Sequence, residues 1–135
     1  MSTRQMIGIP YVGKRVDVQV GNHIVITDQN TANGGEDLAP SMGATFLAGL
    51  VACTTSTARG YCKEHGLPWP EKVIADIEMD DETELITKVH FQFIVPEDFP
   101  KSRLSALMRA AEKCTVTTWW KHPPVFELET ATSQD

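Results

Sequence analysis

Residues 34–66 read GGEDLAPSMGATFLAGLVACTTSTARGYCKEHG. A Gly-Gly turn leads through Pro40 into a long apolar run with Cys53 at its middle. Ser41 stands where a helix cap belongs, because its hydroxyl can accept from a free N–H of the first turn. Gly66 followed by Pro68 is a stop signal. Between them Phe46, Leu47, Leu50, Val51 and Ala52 leave almost no polar face, which predicts a helix whose first half is buried all round. Gly43, Ala44, Ala48 and Gly49 are small enough to admit a close backbone neighbour. The run is too short, and too soon interrupted by polar residues, to span a bilayer. The stretch therefore places a thiol within a core helix.

On the N-terminal side, Arg15–Val20 alternates, with Val16, Val18 and Val20 on one face. Gly21-Asn22 is a two-residue turn of the type II′ kind, and His23–Thr27 continues as a second strand with Ile24 and Ile26 on one side. Asp28–Asp37 reads as a loop. Gly34-Gly35 within it is no phosphate loop, since no Gly-Lys-Ser/Thr follows and the neighbouring charges are negative.

On the C-terminal side, Pro68-Trp69-Pro70 makes a stiff connection. Lys72–Asp80 alternates with Val73, Ala75, Ile77 and Met79 on one face, and Asp80-Asp81 supplies a turn. Glu84–Pro96 alternates again, Val89, Phe91, Phe93 and Val95 opposing Lys88, His90 and Gln92, as in an antiparallel sheet with one wet face. Asp98–Cys114 returns to helical period: Leu104, Leu107, Met108 and Ala111 form one stripe, and Cys114 falls three further on. Arg103, Arg109, Glu112 and Lys113 take the solvated side. Thr115–Trp120 is expected to leave the helix, and Val125–Thr130 to form a last strand. The order ββαββαβ predicts an α+β chain with two helices against antiparallel sheet.

At 135 residues, 41% hydrophobic and 22% charged, the chain reads as one globular domain, 1–135, with flexible ends at 1–12 and 130–135. A net charge of −6 speaks against nucleic acid as the main partner. The start MSTRQMIGIP has no basic segment followed by an apolar core, so no signal peptide is expected and a cytoplasmic location is the default. Three cysteines are too few for a secreted disulfide scaffold. Cys62 lies nine residues after Cys53, roughly 900° around the helix, so the two sulfurs point to opposite sides. Cys114, at the end of the second helix, is the thiol that two packed helices can bring to Cys53. Free cysteine is more often a small core hydrophobe than a reagent. Cys62 and His65 have metal-ligand spacing, but no second pair completes a site, so no metal is expected. His23, His90 and His122 read as surface residues, and no Gly-x-Ser-x-Gly elbow supports a serine hydrolase.

The segment GGEDLAPSMGATFLAGLVACTT, with AEKCTVT sixty-one residues on from cysteine to cysteine, resembles the OsmC/Ohr family of thiol-dependent hydroperoxide reductases, in its OsmC-like branch. The resemblance covers roughly Val16 to Leu128. It implies an OsmC-like fold: an intertwined homodimer with two central Cys-bearing helices, antiparallel sheets from both chains wrapped around them, and active sites at the subunit interface. It implies Cys53 as the peroxidatic and Cys114 as the resolving cysteine. It implies an N-terminal arginine at the thiolate, for which Arg15 is the candidate and Arg4 the runner-up. A small organic hydroperoxide would be the substrate and a small thiol or dithiol the reductant, with no cofactor, nucleic acid or membrane involved. Met42, Phe46, Trp119 and Trp120 are the expected apolar substrate lining. The sequence departs from the peroxidase branches at Gly43, where they carry a glutamate that orients the arginine; no carboxylate occurs between Asp37 and Glu64. That departure motivates a second reading, a weakly catalytic module that binds a small lipophilic ligand or senses redox state. A third, a hydrolase with Cys53 as acyl carrier, lacks a histidine base nearby in sequence.

Overall fold

The structure, a computed structural model, describes residues 1–133. Gln134 and Asp135, the end of the tail expected to be flexible, lie outside the described residues. Two antiparallel sheets and three helices follow one another as β1 Met6–Pro10, β2 Val16–Val20, β3 His23–Thr27, α1 Met42–Glu64, β4 Lys72–Met79, β5 Ile86–Ile94, α2 Leu104–Glu112 and α3 Thr115–Lys121. Short 3-10 turns at Thr31–Asn33 and Lys101–Arg103 punctuate them. The chain divides into two compact units, Met1–Gly49 and Leu50–Asp135.

In the first unit β1, β2 and β3 form a sheet in that order. The β2–β3 hairpin turns at Gly21-Asn22 with Val20 opposite His23, and Gly21 alone takes a positive φ, as a type II′ turn requires. The N-terminal segment, read as outside regular structure, instead contributes β1, with Met6 opposite Val20 and Pro10 opposite Val16. Ladder hydrogen bonds to β2 hold it, a non-local gain that its own residues do not announce. The loop after β3 is clasped by Asp28, whose buried carboxylate accepts from the N–H groups of Gln29 (2.8 Å), Leu38 (3.1 Å) and Glu36 (3.2 Å). Those bonds, led by Gln29 and then Leu38, outweigh burial and hold the carboxyl below its ordinary value. Gly35 is required there, because a Cβ would lie 1.9 Å from the Gln29 carbonyl oxygen.

Ser41 caps α1 as its sequence predicts, its hydroxyl accepting from the Ala44 N–H at 3.2 Å. Burial along α1 corrects one expectation. Phe46 is 60% exposed, Ala44, Ala48 and Gly49 are exposed, and among the described residues nothing beyond the helix itself comes within 4 Å of where a Cβ would stand on Gly43 or Gly49. The covered face is the i, i+4 stripe Leu50, Thr54, Ala58 and Cys62.

In the second unit β4 and β5 pair antiparallel. Val73–Phe93, Ala75–Phe91 and Ile77–Val89 share the inner face, while Asp76–His90 and Glu78–Lys88 share the outer, with a Lys88–Glu78 ion pair at 3.4 Å. A register shift at Glu78/Met79 ends the clean alternation, and Met79 is exposed rather than on the covered face. β5 starts at Ile86 rather than Glu84 because the Asp80 carboxylate gathers the N–H groups of Glu82 and Thr83 into a turn. Ala58, Cys62, Phe99, Leu107 and Ala111 form the core, with Tyr61, Leu67, Phe93, Val95 and Leu104 packed around them. The predicted last strand, Val125–Thr130, is not a strand in this chain.

Candidate functional site

The second helical stretch is not one helix ending at Cys114 but two. α2 closes after Glu112, Cys114 turns to extended backbone (φ −63°, ψ 151°), and α3 begins at Thr115. Cys114 itself caps α3, its sulfur accepting from the Thr117 N–H at 3.4 Å. The chain that was expected to leave the helix at Thr115 therefore re-enters one, and the cysteine is the joint.

The joint fixes the sulfur beside α1. Cys114 is 1% exposed. Thr117 Oγ1 lies 3.0 Å and Thr54 Oγ1 3.5 Å from its Sγ, and Cys53 of α1 is a neighbour. Burial pushes the Cys114 thiol up, but the bonds from Thr117, Thr54 and Cys53 together outweigh burial and hold it below the ordinary thiol value. Cys62 lies roughly two turns further along the same covered stripe as Thr54, in the core, where burial alone pushes its thiol up. Cys62 is thus part of the core, while Cys53 is half-buried and neighbours Cys114. The Cys62–His65 spacing gathers no metal site: His65 Nδ1 is bonded to the Tyr61 carbonyl at 2.9 Å, and no cluster of three metal-ligating side chains exists among the described residues.

Next to the sulfurs lies a cavity of about 400 Å³. Val89, Phe91 and Phe93 of β5 wall it, with Leu50, Met108 and Trp120; Thr54 and Thr117 supply hydroxyls, and Glu112 and Lys121 stand along it, paired at 3.6 Å. Of the expected apolar lining, Trp120 is here. Trp119, its neighbour, is 62% exposed and does not line this cavity. Met42 and Phe46 belong to the first unit, where the Met42 sulfur accepts from Gln29 Nε2 at 3.2 Å. The β5 aromatics were legible as a covered face, but nothing in their alternation told a cavity wall from core.

Arg15, in the first unit, is gripped by a carboxylate that the reading of Gly43 did not foresee. Its Nε and Nη2 donate to Asp17 Oδ1 and Oδ2 at 2.8 and 2.9 Å, and its guanidinium lies 4.8 Å from the centre of the Tyr11 ring. Asp17 is 5% exposed, and Arg15 holds its carboxyl below the ordinary value against the effect of burial. The signal was present in the sequence: residues two apart on a strand share a face, so Arg-x-Asp at the start of β2 is a pair. Arg4, the runner-up, precedes β1 and is exposed.

An α+β chain with two antiparallel sheets and neighbouring free thiols on α1 and at the α2–α3 junction defines a narrow class. The OsmC family, described as OsmC-like protein, matches residues 34–129, and the chain belongs to it. No curated protein matches the sequence. Solved structures agree with the fold. A Psychrobacter arcticus 273-4 protein named for an osmotic stress and detoxification response superposes with a TM-score of 0.73 at 16% identity, covering 91% of each chain. An OsmC like protein from Mycoplasma pneumoniae gives 0.66 at 11% identity, over 90% of this chain and 89% of that one. A Legionella pneumophila structure named as an organic hydroperoxide resistance protein OsmC gives 0.60 at 18%, over 90% and 91%.

Proposed function

We propose that this chain is a dithiol peroxidase that reduces small organic hydroperoxides to alcohols. The observation that carries the reading is the neighbouring pair of free thiols, Cys53 and Cys114, beside an apolar cavity. Cys53, half-buried, takes oxygen from the hydroperoxide and becomes a sulfenic acid. Cys114 condenses with it to a disulfide, and a small thiol or dithiol restores both. The name of the Legionella relative agrees with that chemistry. Arg15, held by Asp17, remains our candidate for the cation that the resemblance implies. We further propose that the chain works as a homodimer, which supplies cover for the exposed apolar start of α1.

The test is a free-thiol count with intact mass before and after one equivalent of cumene hydroperoxide. Loss of two thiols and two mass units per chain, abolished in Cys53→Ser and Cys114→Ser and kept in Cys62→Ser, supports the reading. Unchanged thiols would reject it. The cavity would then favour the second reading, a binding module for a small lipophilic ligand, since neither cysteine is among the residues lining it.

A further inference from the structure

Arg109 stands in the last turn of α2 and Lys113 at its C-cap, where a cation suits the negative end of the helix dipole. The dipole accounts for charge at the end of the helix, but not for the recess these residues edge. A second cavity of about 350 Å³ opens there, lined by Arg109, Glu112, Lys113, Thr117, Thr118 and Lys121. Glu112, Thr117 and Lys121 also line the apolar cavity walled by β5, so the two spaces adjoin along a shared border. One is faced mainly by valine, phenylalanine, leucine and methionine, the other mainly by charge.

The sign of that charge runs against the rest of the chain. The net charge is −6, yet this recess gathers three cations against one carboxylate. Glu112 meets Lys121 at 3.6 Å with both side chains largely exposed, and such a pair is easily exchanged for another partner. Arg109 and Lys113 have no carboxylate partner among the described residues. The two threonine hydroxyls are spent inward: Thr118 donates to the Cys114 carbonyl at 3.2 Å, and Thr117 Oγ1 lies 3.0 Å from the Cys114 sulfur. What the recess offers outward is an excess of two positive charges at the edge of an apolar space.

We infer that the two cavities together bind a single-chain alkyl phosphate. Its apolar chain lies among Val89, Phe91, Phe93 and Met108, and its phosphate monoester between Arg109, Lys113 and Lys121. At about 400 Å³ the apolar part falls in the range of small-molecule pockets. A phosphate monoester carries roughly −1.5 to −2 near neutral pH, which matches the excess in the recess; a carboxylate would leave one cation unmatched. The planar fork of Arg109 can take two phosphate oxygens at once, and the lysines serve as point charges. Glu112 is the one group there that opposes the head. The inference gives the lipophilic-ligand reading its head group and rests on the cavities, not on the thiols, so it stands apart from the peroxidase reading.

The test is isothermal titration calorimetry of the full chain with decyl phosphate, kept below its micelle-forming concentration. One site per chain is expected. Decanol, which lacks the charge, decanoate, which carries about half of it, and inorganic phosphate, which lacks the chain, should each bind at least about tenfold more weakly. Arg109→Gln/Lys113→Gln, both at exposed positions, should lose about tenfold or more in affinity for decyl phosphate and much of its salt dependence. Lys63→Gln/Lys72→Gln removes the same charge outside both cavities and should bind as the parent does. Glu112→Gln should bind more tightly. Decyl phosphate held no better than decanoate or inorganic phosphate, parent affinity in Arg109→Gln/Lys113→Gln, or an equal loss in the two double variants overturns the proposal. Thiols oxidised by cumene hydroperoxide in a chain that does not bind decyl phosphate overturn this site and leave the peroxidase reading; binding with unchanged thiols does the reverse.

Discussion

Oxidation of this chain should raise its melting temperature, and the size of the rise follows from where the two cysteines sit. Cys53 is in mid-α1 and Cys114 at the α2–α3 joint, sixty-one residues apart. A covalent bond between them closes a loop that contains the β4–β5 sheet and all of α2. Loop-closure entropy for that separation removes roughly 4 kcal/mol of freedom from the unfolded chain. For a chain of this length each kcal/mol is worth about 3–5 °C, which sets an upper expectation of about 10–20 °C. The two sulfurs are neighbours and must approach to roughly 2 Å to bridge. The assay is a thermal melt of fully reduced protein against protein treated with one equivalent of cumene hydroperoxide, at matched chain concentration so that association does not shift the midpoint. Cys114→Ser should melt alike under both treatments. An oxidised form that has lost two thiols yet melts at or below the reduced form would refute the reasoning, because the bridge would then be costing the native state what it removes from the unfolded one.

Leu107 is fully buried at the centre of the core, and Leu107→Ala should cost about 2–5 kcal/mol in urea unfolding. Gly35→Ala should destabilise by at least about 2 kcal/mol, because the new Cβ meets the Gln29 backbone at 1.9 Å. Gly8→Ala, with open space around it, is the control. Asp28, Asp17 and Asp80 all titrate below the ordinary carboxylate value. Their stabilisation is therefore present above about pH 4 and lost as pH falls through their folded values. Denaturation midpoints should drop on that acid limb, and Asp28→Asn should flatten it. Val89→Trp, placed in the cavity wall, should raise KM for cumene hydroperoxide on the order of tenfold and leave hydrogen peroxide turnover unchanged.

What was legible in the sequence is what short-range chemistry decides. Valine alternation around Gly21-Asn22 set the β2–β3 hairpin, and Ser41 and Gly66 bracket α1 to within two residues of its ends. The half-turn between Cys53 and Cys62 set them in different surroundings, Cys62 in the core and Cys53 half-buried. The rest depended on partners far away in sequence. β1 exists because β2 offers it an edge. α3 was hidden because Thr-Val-Thr-Thr is a poor helix former by propensity, and its start is secured by a sulfur cap that no ordinary capping rule expects. The cavity was hidden because Val89, Phe91 and Phe93 have the same pattern whether they face packed side chains or empty space.

The remaining mismatch between sequence and structure bears on assembly. Among the described residues one chain buries seven apolar side chains, three of them no larger than alanine or cysteine along α1 and α2. Phe46 is left 60% exposed, and no described residue beyond its own helix comes within 4 Å of where a Cβ would stand on Gly43 or Gly49. At the other end Val125, Phe126 and Leu128 are more than four-fifths exposed on a stretch that alternates like a strand but has no edge to pair with. Large apolar residues in a run, unlike single exposed ones, are not neutral in water. A helix apolar all round and a strand without a neighbour make complementary demands: the first needs a face laid against it and the second needs a ladder. In the homodimer we propose, a second copy of the same chain would offer both, with the same two elements presented in return, as a two-fold interface requires. The homodimer we propose thus rests on burial that the sequence calls for and a single chain does not provide.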